Sequence, residues 1–183
     1  MTAARATLTL YALDRPALKA LSAELRALLA ADDRAGLVSL LGLSGSLADR
    51  VHGAARAVDW FLRPETDPEA APLYASLRRI TKKRALEPSW TSPEPALEGR
   101  LRQFDVLREE RPLAALVDKL LDSGRLPWFL LRPGATAGWL DAARREELAE
   151  GMRRLAPALT KELSDFGAAL DEVDGDVVVH DAL

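Results

Sequence analysis

Cysteine is absent from the 183 residues, histidine occurs twice, and aromatic residues make up only 5%. Without cysteine there is no disulfide framework, no thiol redox chemistry, no Cys nucleophile and no thiolate-bound zinc or iron–sulfur centre. Two histidines leave little for an imidazole-based metal site. Charged residues interrupt every apolar run well short of the roughly 20 residues that cross a bilayer, so no membrane span is expected. The first residues, MTAARATLTLYALD, alternate Thr with Leu and lack the unbroken apolar stretch and small-residue cleavage site of a secretory signal. A cytoplasmic location is therefore expected. Positive charge is not in excess either: 25 Lys plus Arg stand against 28 Asp plus Glu, a net of −3. That balance argues against general nucleic-acid binding, which needs a basic face to displace counterions from phosphates. GxGxxG, Walker, HExxH and GxSxG patterns are missing, and the adjacent pairs Glu109-Glu110 and Glu146-Glu147 diverge on a helix. No cofactor, metal or catalytic residue is expected, and an enzyme is the less favoured reading.

What is present is an ordinary apolar content of 48% in a chain of one-domain length. Such a chain buries about 70% of its unfolded surface and needs no staple to fold. Arg outnumbers Lys by 20 to 5, a usage common in GC-rich bacterial genomes. Residues 7–13, TLTLYAL, alternate as a half-buried strand does. Asp14 then caps a helix with Pro16 in its first turn and an apolar stripe at Leu18, Leu21, Leu25, Leu28 and Leu29. Residues 37–43 form a short apolar segment. Further stripes run through Leu47, Val51, Ala54, Val58 and Leu62, through Leu73, Leu77 and Ile80, and through Leu97, Leu101, Phe104 and Leu107. Another is Leu113, Leu116, Val117, Leu120 and Leu121. Residues 126–131, LPWFLL, can form a short buried strand, with Pro127 at its start or on an edge. Asp141 caps a helix with Leu148, Met152 and Leu155 on one face. Pro157 starts another, through Leu159, Leu163, Phe166, Leu170 and Val173. An Asp174-Gly175 turn leads to DVVVH, a strand by its β-branched run. Pro-rich loops are expected near 63–72 and 87–95.

These elements predict a helix-rich α+β fold, one globular domain over 1–183, with a small sheet of two or three short strands drawn from both ends of the chain. An all-helical bundle with irregular arms is the alternative.

The segments GWLDAARREELAEGMRRL, LSDFGAALDEV and DVVVHD, with the opening TLTLYALDRPAL, are similar to the YfbM-like family of uncharacterised bacterial proteins. They cover about a third of the chain. The resemblance implies an α+β fold; it implies no activity and supplies no catalytic residue.

Three groups of side chains are candidate binding residues. If the stripe through Val51 and Val58 faces a core, then His52, Arg56, Asp59, Trp60 and Arg63 fall on the other side of that helix. Trp60 with His52 and Arg56 can stack a planar ligand and grip a carboxylate or phosphate; equally, Trp60 can pack on a second layer. Trp90 and Trp139 sit in loop-like contexts, and Trp128 lies in the apolar run LPWFLL. Trp128 and Trp139 read as plugs that offer the indole N–H to a backbone carbonyl, and Trp90 reads as either a plug or an interface anchor. Arg78-Arg79 and Lys82-Lys83-Arg84 read as a solvated basic helix end. Finally, residues 141–183 hold 11 Asp plus Glu against 5 Lys plus Arg. Asp171, Glu172 and Asp174 are central to that excess. DEVDGD lacks the ligand alternation and closing Glu of a calcium loop. The expectation is a non-enzymatic protein-interaction domain, regulatory or immunity-like, that meets a basic protein partner on its acidic C-terminal face. The alternative is a small-ligand site, or an unrecognised enzyme, around His52, Arg56 and Trp60.

Overall fold

A computed structural model of the chain describes residues 7–42, 71–93, 97–103, 105–122 and 136–180. The fold is helix-rich α+β with a four-stranded antiparallel sheet. By internal contacts the chain divides into two compact units, residues 14–85 and residues 1–13 with 86–183. The expected helix through Val51 and Val58, the strand at 126–131, and the Pro-rich stretch 63–70 lie outside the described residues.

The unit formed by residues 14–85 contains α1 (Arg15–Ala30), α2 (Arg34–Leu41) and α3 (Ala71–Ala85). Its helix starts follow from local chemistry. Asp14 Oδ1 accepts from the Ala17 N–H with Pro16 in the first turn, and Asp33 accepts from the Gly36 N–H. Each aspartate satisfies a donor that the helix cannot pair internally. Leu21, Leu25, Leu37, Leu40, Leu41, Leu73 and Leu77 are buried. The two ends of the unit meet where the Asp14 N–H donates to the Ala85 carbonyl at 2.9 Å.

The other unit carries the sheet. Its strands are β1 (Thr9–Leu13), β2 (Leu86–Thr91), β3 (Ala137–Leu140) and β4 (Asp176–His180), in the order β2-β1-β4-β3. The two terminal segments expected to pair do so: Leu10 lies opposite Val179 and Ala12 opposite Val177. Two strands correct the expectation. The stretch 87–95 is not a loop through its first half, because residues 86–91 pair with β1 as an edge strand. An edge tolerates Pro88, whose missing N–H can face away from the ladder. Between the Leu10–Trp90 and Tyr11–Pro88 pairs the register slips, leaving Ser89 as a bulge. Likewise, Trp139 lies in β3 rather than a loop.

Among its described residues this unit also contains helices α4 (Leu97–Gln103), α5 (Asp105–Glu109), α6 (Arg111–Leu121), α7 (Ala142–Leu155) and α8 (Lys161–Glu172). The stripe from Leu97 to Leu107 thus serves two helices, and Pro157 lies in a 3-10 turn (Ala156–Ala158), so that α8 begins after Thr160. The core combines Leu10, Val177, Val179 and Leu140 from the sheet with Leu113, Leu120, Leu148, Phe166 and Leu170 from the helices. Strand periodicity places Leu10, Ala12, Val177 and Val179 on this side. Tyr11, Val178 and His180 point to the opposite face and are buried as well, which is why DVVVH is apolar without alternation. Gly138 shares the core side, and a Cβ there would run into the Leu120 carbonyl oxygen. Only glycine lets β3 approach the end of α6 so closely.

Candidate functional site

α7 and α8 bury the faces defined by Leu148, Ala149 and Met152 and by Leu163, Phe166 and Leu170. The intervening positions must then face outward. Glu146, Glu147, Glu150, Asp165, Asp171 and Glu172 are exposed there, and Asp174 is exposed in the turn that follows α8. The structure therefore brings Asp171, Glu172 and Asp174 together at the end of α8. Asp171 Oδ1 takes a 2.6 Å contact from Arg153 Nη2 on α7, with both side chains about half exposed. Solvent screens such a pair, and it contributes little to stability. Glu172 and Asp174 make no ion pair among the described residues.

Polar contacts beneath this surface hold it in place. Arg145 is only 4% exposed. Its Nε donates to the Gly175 carbonyl at 2.9 Å and its Nη1 to the Leu170 carbonyl at 3.0 Å, while Nη2 reaches Glu146 at the solvent edge. Asp176, also buried, accepts from the Trp139 indole Nε1 at 3.1 Å and from the Ala142 N–H at 2.9 Å. Asp141 caps the same helix through the Arg144 N–H. The positive N-terminal end of α7 is thus occupied by two of the chain's own carboxylates. Asp176 is committed to these bonds, so the acidic run DEVDGD is not an open set of oxygen ligands. No group of three or more possible metal-binding side chains occurs among the described residues.

Two further carboxyls, of Glu110 and Glu162, are held below their ordinary value by hydrogen bonds and neighbouring arginines. The Arg154 fork on Glu110, at 3.0 and 3.1 Å, keeps the Glu110 carboxyl below its ordinary value, chiefly through the hydrogen bonds and also by direct charge attraction. The same contact raises the Arg154 guanidinium. Glu162 is lowered first by its own backbone N–H, then by the Thr160 hydroxyl and by Arg100.

The remaining expected residues fall elsewhere. His52, Arg56, Trp60 and Trp128 lie outside the described residues. Trp90 is corrected from a loop residue to a strand residue. It stands opposite Leu10 on the core-facing side, and its ring meets Phe166 edge-on at 5.9 Å and 63°. That packing leaves it half-buried. Trp139 donates to a carboxylate and not to a carbonyl. The basic residues Lys82, Lys83 and Arg84 do occupy the last turn of α3, where Arg84 pairs with Glu24 at 2.6 Å. No helix among the described residues is long and apolar enough to cross a membrane.

Sequence reasoning missed Arg145 and Asp176 as a pair of polar anchors. One signal was available: Arg145 lies three residues before Leu148 and seven before Met152, on the apolar stripe itself. Comparisons with protein-family models, with curated proteins and with solved structures find no match to this chain.

Proposed function

We propose that this chain is a non-enzymatic protein-interaction domain that receives a basic protein partner on the acidic surface of α7, α8 and the following turn. The supporting observation is that Glu172 and Asp174 are exposed and without an ion pair among the described residues, while the glutamates of α7, the helix against which α8 packs, are exposed as well. A regulatory or immunity-like role, in a bacterial cytoplasm, is part of the proposal: covering a basic surface is a way to silence it. Charge arranged in this way mainly accelerates encounter and excludes like-charged partners, with smaller effects on equilibrium affinity.

The test uses a Lys/Arg-rich peptide as probe, with association followed by fluorescence anisotropy on the full chain. Wild-type protein should bind it at low salt and lose binding as ionic strength approaches about 0.15 M, where the Debye length is about 8 Å. Combining Asp171→Asn, Glu172→Gln and Asp174→Asn should slow association and flatten the salt dependence. Equal binding by the wild type and the triple variant would remove this surface from consideration.

A further inference from the structure

The end of α8 is built against its own electrostatics. The last carbonyls of a helix carry partial negative charge and favour cations nearby. Here the last turn contains Asp171 and Glu172 and no basic residue of its own. The missing cations come from α7. Arg153 pairs with Asp171 on the surface, and Arg145 enters from below to take the Leu170 carbonyl, one of the four that α8 leaves unpaired. The second bond of Arg145, to the Gly175 carbonyl, lands on the far side of the same acidic segment. Gly175 has φ +89°, a left-handed conformation that lets the chain reverse into β4. One guanidinium thus brackets residues 171–174 at both ends, and the next residue, Asp176, is tied to α7 and β3 through Ala142 and Trp139.

We infer that Arg145 is a positioning residue that holds the 171–174 segment in a single shape before any partner arrives. The use of that shape rests on the acidic-surface reading above; the clamp itself does not. A lysine cannot substitute fully, because one ammonium lacks the planar fork that reaches two carbonyls at once. A preformed segment presents Glu172 and Asp174 without the entropy cost of ordering them on contact.

Hydrogen exchange of the full chain, read by mass spectrometry, tests the clamp without a partner. In Arg145→Met, amides in the last turn of α8 and at the start of β4 should exchange about tenfold faster or more, as expected for loss of bonds from a charged donor. Amides in the middle of α6 should keep their wild-type protection. Arg145→Lys, the milder variant should the Met form not fold, should give an intermediate acceleration confined to the same segment. Unchanged exchange at 171–177 in either variant would overturn the inference. So would acceleration spread evenly over the sheet and α6, since that marks an ordinary core residue. The peptide assay fails separately: faster local exchange in a protein that binds no basic peptide leaves the clamp standing and removes only its proposed use.

Discussion

The indole N–H of Trp139 on the edge strand β3 donates to the carboxylate of Asp176 on β4 at 3.1 Å. Trp139 lies opposite Val178, so Asp176 is its diagonal neighbour on the same face of the sheet. The second oxygen of Asp176 accepts from the first N–H of α7, and one carboxylate thereby joins an edge strand, a central strand and a helix start.

Asp176→Ala should therefore leave two partly buried donors without acceptors. The expected loss is about 2–4 kcal/mol in urea denaturation, counting about 1–2 kcal/mol for each orphaned group. Asp141→Ala removes a helix cap and a solvent-screened ion pair with Arg144, and should cost about 1 kcal/mol. A loss at Asp176 no larger than that at Asp141 would refute the joining role.

Gly138→Ala should cost roughly 2–3 kcal/mol or more, because the added methyl meets backbone that has no rotamer with which to yield. Gly99→Ala is the matching control. It lies in α4 with open space where the Cβ would go, and it should stabilise by about 0.5–1 kcal/mol. Thermal melts of the two variants should move in opposite directions.

Phe166 is fully buried, and its ring supports Trp90. Phe166→Ala should destabilise by about 3–5 kcal/mol. Phe166→Leu should cost less, while still altering the tryptophan fluorescence by removing the ring that packs against Trp90. An unchanged emission spectrum in a folded Leu variant would show that the contact is absent in solution.

Acid should weaken the fold through Glu110 and Glu162. Both carboxyls are held below their ordinary value in the folded chain. A depressed carboxyl binds protons more readily when unfolded, so its contribution is fully present above the unfolded pKa and is lost as pH falls through the folded one. Melting temperature should then drop on acidification below the ordinary carboxylate range, and Glu110→Gln should drop less steeply. Parallel pH profiles for the wild type and Glu110→Gln would contradict this assignment.

Much of the secondary structure was legible because its signals are local. Asp14 and Asp141 announce helix starts by offering an oxygen to an N–H two or three residues on, whatever the rest of the chain does. The five-residue stripe from Leu113 to Leu121 is buried in full, as its spacing requires. The acidic triplet Asp171, Glu172 and Asp174 was equally plain as a run of charge, and the structure leaves all three exposed.

Residues 86–91 were not legible in the same way. Pro88 and Ser89 argue for a loop in isolation, and only the free edge of β1, supplied by residues distant in sequence, makes a bulged strand of them. Trp139 was obscured for the same reason, since its strand exists by pairing with β4. The position of Arg145 on the apolar stripe of α7 hints at burial, but its two carbonyl partners are brought beside it only by α8 and the Gly175 turn. The amino-acid order alone determined the helix caps, the apolar stripes, the two strands at the ends of the chain and the excess of negative charge, because each follows from neighbours within a turn or two. Tertiary packing decided which segments pair as edge strands and which arginine is buried, because a backbone ladder and a desolvated guanidinium both need partners that only folding brings near.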